Sequence, residues 1–130
     1  MGLSQFDEHN PWIDTETIDS GSSLTPNHFF GGQDRQQRID AIILASDDTV
    51  DNLVAFWMDF DFTPTTLVGT VLVPAGAGTD GVIPAIDAVP FLFAASLGIT
   101  GYPRIGMSYA PVALPSSGKT IWMTSIGGWF

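Results

Sequence analysis

The sequence predicts an all-β protein: an antiparallel β-sandwich, jelly-roll-like, with at most one short helix and an extended N-terminal arm. Three observations carry this. Downstream of Arg38 the chain breaks into short runs rich in β-branched and aromatic residues, whose side chains alternate with a period of two. Pro, Gly, Asp and Ser clusters separate these runs at intervals of roughly ten residues, without the strand-helix alternation of parallel folds. With 130 residues, of which 45% are hydrophobic and 14% charged, the chain has enough apolar mass for one core and too little for two.

Residues 1–33 stand apart as the arm, and residues 34–130 as the sandwich. In the arm, Asp7, Glu8, Asp14, Glu16 and Asp19 alternate with isolated Phe6, Trp12, Ile13, Leu24, Phe29 and Phe30, and no period of two or 3.6 joins them. Such a segment is anchored residue by residue, either onto a neighbouring subunit or as an irregular cover over the chain's own core. Arg38 to Ser46 follows as a strand, with Ile39, Ala41, Ile43 and Ala45 on one face and Asp40, Ile42, Leu44 and Ser46 on the other. Asp47-Asp48-Thr49 turns the chain into a second strand, Asn52 to Phe62. Val54, Phe56, Met58, Phe60 and Phe62 share one of its faces; Leu53, Ala55, Trp57, Asp59 and Asp61 share the other. After a Thr63-Pro64 break, Leu67 to Val73 is a third strand, and Pro74 to Gly81 is too rich in glycine for a helix.

The one helical candidate is Asp87-Ala88-Val89-Pro90 followed by Phe91 to Leu97, with Asp87 as N-cap, Pro90 in the first turn and Gly98 past the end. Arg104 to Tyr109 alternates again with Ile105, Met107 and Tyr109 inward. Ser116-Ser117-Gly118 is a hairpin turn with a solvated Lys119, leading into a last strand up to Ile126. The expected core comprises Ile39, Ile43, Val54, Phe56, Met58, Val71, Met107, Ile121 and Met123.

Fourteen acidic against four basic residues give a net charge of −10, and that field repels phosphate backbones and anionic headgroups. Nucleic acid and membrane are therefore not expected partners. The N-terminus lacks the basic and apolar regions of a signal peptide, and no apolar run approaches the roughly 20 residues of a membrane helix. Without Cys, thiolate chemistry and disulfides are excluded, and His9 and His28 read as hydrogen-bonded surface groups. Ser117-Gly118-Lys119-Thr120 ends like a phosphate loop, but Ala113 stands where that loop needs glycine and a strand follows where it needs a helix. Asp59 and Asp61, about 7 Å apart on a strand face, pair either as ligands or an acid-base couple, or simply as a strand end in solvent. No catalytic, cofactor-binding or metal residue is assigned, and the expectation is a protein that is not an enzyme.

Arg38 to Ile42, then Leu67 to Gly81 with Pro84-Ala85-Ile86-Asp87 after it, and Ala113 to Thr120 leading to Gly127-Gly128-Trp129-Phe130, resemble small β-sandwich virion proteins of tailed bacteriophages. The resemblance covers about residues 31–130 and rests on turn and strand patterns. It implies a non-catalytic capsid decoration or cement protein, a homotrimer that bridges major capsid subunits on the outer surface of the head after assembly in the host cytoplasm. Alternatives are another virion component (head-tail joining, tail or fibre base), or a carbohydrate-binding sandwich. The latter would use Trp57 or Tyr102 as a platform and Asp59 and Asp61 as acceptors. The candidate interface residues are Phe6, Trp12, Ile13, Phe29 and Phe30 in the arm. Trp129 and Phe130 join them, either closing the sandwich or inserting into a neighbour.

Overall fold

The computed structural model describes residues 11–31, 37–93 and 105–129. It contains β1 (Pro11–Asp19), β2 (Asn27–Gly31), β3 (Gln37–Ser46), β4 (Asn52–Phe60), β5 (Thr63–Val73), β6 (Ile86–Asp87), α1 (Val89–Phe93), β7 (Ile105–Pro111) and β8 (Thr120–Trp129). One four-stranded sheet runs β1-β8-β3-β6, the other β2-β7-β4-β5, and every pairing is antiparallel. Only β4 and β5 are consecutive neighbours; every other connection passes from one sheet to the other. That order is the eight-stranded jelly roll.

Residues 11–31 depart from the expected arm. β1 pairs along its whole length with β8, and β2 pairs with β7, so each is an edge strand of the sandwich itself. Period-two alternation is present in β1, where Trp12, Glu16 and Ile18 face inward. It stays unrecognised in the sequence because Asp14 and Glu16 occupy inward positions at the open rim. In β2, a bulge between His28 and Phe30 turns both Phe29 and Phe30 toward the core and breaks the alternation. Of the two roles considered for the arm, covering the chain's own core is what these residues do, in regular strands; Phe6 lies outside the described residues.

A second bulge corrects the reading of β3. Ile39 pairs with Gly127 and Ala41 with Ile126, leaving Asp40 as the extra residue. Ile39, Ile42, Leu44 and Ser46 therefore all face inward, whereas Ile43, expected in the core, is half-buried on the outer face. Adjacent apolar residues at Ile42 and Ile43 leave the register open, and the bulge decides it. Gly127 is required here: a Cβ would collide with the carbonyl oxygen of Arg38 and stand 2.6 Å from the Trp12 ring.

β4 ends at Phe60, two residues earlier than expected. Asp61 and Phe62 both have positive φ (55° and 68°) and form the two-residue turn into β5, with Phe60 paired to Thr63. Phe62 lacks the glycine usual at such a turn, and its ring packs edge-on against His28 at 4.7 Å, offsetting the strained backbone. Pro64 sits inside β5, tolerated because β5 is an edge. The Asp87 carboxylate accepts from the Val89 N–H, the expected capping contact of α1, and also from the Ile42 N–H. The Ser116–Lys119 turn forms with Gly118 at φ 76°, but it joins β7 to β8 across the two sheets and so is not a hairpin.

Val54, Phe56, Val71, Met107, Ile121 and Met123 fill the space between the sheets, fully buried or nearly so, and Met58 packs against them half-exposed. Phe29 meets Phe56 and Tyr109 edge-to-face at 6.1 and 5.6 Å, tying the β2 edge to the centre.

Candidate interaction surface

Several of the acidic residues gather at the ends of the strands. At one end, Asp48 is buried and accepts hydrogen bonds from the backbone N–H of Thr49 (2.7 Å) and Ser116 (2.9 Å) and from Asn52 Nδ2 (3.1 Å). Its carboxyl is held well below the usual aspartate range, first by the Ser116 N–H and against the opposing effect of burial. Asp47 accepts from Thr120 N–H, Asp51 from Ala75 N–H, and Asp80 from the N–H groups of Val82 and Ile83. Those last two bonds also lower the Asp80 pKa. These carboxylates fasten the loops at 47–51, 74–85 and 112–119 to one another. Among the described residues no group of three or more His, Asp or Glu is placed to hold a metal.

A second polar cluster lies on the outer face of the β2-β7-β4-β5 sheet. Asp59 Oδ2 accepts from Ser108 Oγ at 2.6 Å and stands 2.7 Å from His28 Nδ1; Asp59 and Ser108 are buried. Ser, His and Asp thus meet, but in the wrong order for nucleophilic catalysis. The serine proton is directed to the carboxylate instead of to an imidazole, and the serine is inaccessible. Asp59 and Asp61 do not act as a pair on one strand face: Asp59 belongs to β4 and is buried, and Asp61 sits exposed in the turn. Of the two acceptors of the glycan reading, Asp59 is withdrawn, because its Oδ2 is engaged and its Oδ1 is buried, and Asp61 is exposed. Tyr102 lies outside the described residues.

The candidate interface residues separate. Trp12 is half-buried, its ring 5.5 Å from that of Phe30; Phe30 is fully inside, and Phe29 packs on the core. These three stabilise the sandwich. Ile13 is 70% exposed on the outer face of the β1-β8-β3-β6 sheet. Trp129 closes β8 opposite Gln37 through its backbone. Phe6 and Phe130 lie outside the described residues.

What the sequence reading missed is the outward surface of the strands. Around Ile13, one sheet presents Thr15, Thr17, Ala41, Ile43, Trp122, Thr124 and Ile126, with the Thr15 and Thr124 hydroxyls 3.3 Å apart across the strands. On the other, register places Leu53 beside Leu72, Ala55 beside Thr70 and Trp57 beside Leu67. Among the described residues the outer face of the β2-β7-β4-β5 sheet exposes no charge between the strand ends, and the other face exposes the mutually paired Arg38 and Asp40 at the β3 bulge, although the chain carries fourteen acids. A signal for this was present, since no charged residue stands between Asp61 and Asp80. β5, just before the glycine-rich Pro74–Gly81 loop, exposes Leu67 and Leu72 on this face. No protein-family model, curated protein or solved structure matches the chain.

Proposed function

We propose that this chain is a non-catalytic virion structural protein of a tailed bacteriophage, a decoration or cement protein bridging major capsid subunits on the outside of the head as a homotrimer. The observation that carries the reading is the segregation of charge: acids tie loops together at the strand ends, while the outer face of the β2-β7-β4-β5 sheet is left uncharged and partly apolar and that of the other sheet carries only the mutually neutralising Arg38–Asp40 pair among the described residues. An isolated soluble protein gains nothing from such faces, whereas one that is buried among subunits needs them. The jelly roll is a fold shared by viral capsid and lectin domains, which agrees with this role by analogy alone. An acidic surface suits a position outside the shell, away from packaged DNA.

Electron cryo-microscopy of particles carrying the chain tests the reading. Density at the three-fold positions of the head is the expected result. A six- or twelve-fold collar overturns the head assignment in favour of a neck or tail component, and absence from the particle overturns the virion role.

A further inference from the structure

We infer that the β4–β5 hairpin is a self-association surface, which packs against the same hairpin of a second copy of this chain about a two-fold axis. The inference is independent of the proposed virion role: the trimer proposed there is gathered by the capsid three-fold axis, whereas this two-fold contact is made between free chains. Leu53, Trp57, Phe62, Leu67 and Leu72 lie on the outward side of this hairpin. Trp57 is half-buried, and the other four are between 42% and 55% exposed. Together they present roughly 400 Å² of apolar surface, within the size range of patches that on single domains are often functional.

The four sheet edges differ in a way that singles out this hairpin. β1 carries Asp14, Glu16 and Asp19; β2 has five residues and a bulge; β6 has two residues and runs into α1. These are the usual protections of an edge. β5 has eleven residues, Thr-Pro-Thr-Thr-Leu-Val-Gly-Thr-Val-Leu-Val, without a single charge. Its bulges fall around Thr65 and Val68, so that Gly69 to Val73 forms an unbroken stretch beside Leu53.

The occupant follows from charge. A basic partner would be recognised by carboxylates placed at the contact, and here the charges beside the patch are the buried, hydrogen-bonded Asp59 and, at the two ends of the strand pair, the turn residue Asp61 and Asp51, which is engaged with the Ala75 N–H. Two molecules of net charge −10 repel each other everywhere except where acids are absent. An uncharged, apolar strand pair is the surface on which two such copies meet at least cost. Two patches with their flanking threonines and strand backbone approach about 1,200 Å² of total buried area, the lower bound for a specific contact. A two-fold contact is self-complementary, so one patch on each copy is sufficient.

Sedimentation equilibrium of the full chain, together with Leu67→Lys, Leu72→Lys and, on the opposite sheet, Ile13→Lys, tests this. The expected result is a dimer that either β5 substitution weakens by about a hundredfold, because each dimer then loses two leucines from the contact and gains two facing ammonium groups. Ile13→Lys leaves the dimer intact. Lysine also moves the net charge toward zero, so a loss of association cannot come from added overall repulsion. All three positions are exposed, and unchanged circular dichroism checks that the variants fold. Because the chain has no cysteine, Thr70→Cys, midway between Leu67 and Leu72 where the two-fold axis crosses the patch, supplies a second readout: the two introduced thiols face each other there, and air oxidation yields covalent dimer. A monomer across the accessible concentration range overturns the inference. So does an oligomer that ignores both β5 substitutions, or one broken by Ile13→Lys.

Discussion

Replacing Asp48 by Ala removes the carboxylate that accepts from four donors, the N–H groups of Thr49, Val50 and Ser116 and the Asn52 amide, of which the amide keeps the Val50 carbonyl as an acceptor. A hydrogen bond to a charged acceptor contributes about 1.5–3 kcal/mol, and water will reach some of the vacated donors. A net loss of about 3–4 kcal/mol is therefore expected, a large share of the roughly 5–15 kcal/mol typical of a domain. The same site sets a pH dependence. The folded-state pKa lies below the ordinary value of 3.8, so the unfolded chain binds the proton more readily. Asp48 thus stabilises the fold fully above that ordinary value, and the contribution is lost as pH falls below it. Urea unfolding of parent and Asp48→Ala followed by near-ultraviolet circular dichroism, from about pH 7 down to about pH 2.5, measures both effects. The variant should show a lower midpoint at neutral pH and a smaller decline in acid. Equal midpoints at neutral pH, or parallel declines below about pH 4, would refute the assignment of Asp48 as the tie between these loops.

Three further outcomes follow from the packing. Gly127→Ala should prevent native folding, because its methyl meets the Arg38 carbonyl and the Trp12 ring; a soluble variant with native circular dichroism would contradict the β3-β8 register. Glu16→Gln should raise stability at neutral pH. Burial and Asp14 push the Glu16 pKa up, so its ionised form disfavours the fold, and the gain should shrink as pH falls through the carboxylate range, as thermal unfolding at several pH values would show. Deleting residues 1–33 should leave an unfolded or aggregating chain, because it removes β1 and β2 and strips Ile18 and Phe30 from the core; a truncated chain with an unchanged melting temperature would restore the separate arm.

Much of the fold was legible in the sequence, because period-two patterning and turn chemistry are local. The strands around Ile39–Ser46, Asn52–Phe60 and Ile121–Met123, the Asp87 cap and the Gly118 turn all express preferences of a few neighbouring residues. The lack of cysteine and the surplus of acid were likewise enough to narrow the chemistry.

The tertiary structure decided which face of each strand is inside, and with it the identity of the surface. A single extra residue reverses every side chain beyond it, and the bulges at Asp40 and at Phe29 exist because distant partners, Gly127 and Met107, impose their register. The same holds for Asp59, Ser108 and His28, which come from three strands that meet only in the sheet, and for β1 and β2, which gain their order by pairing with the last two strands of the chain. Local sequence encodes the propensity to extend. Which hydrogen-bonding edge a strand finds, and so which of its side chains are left for a partner, is a property of contacts distant in sequence.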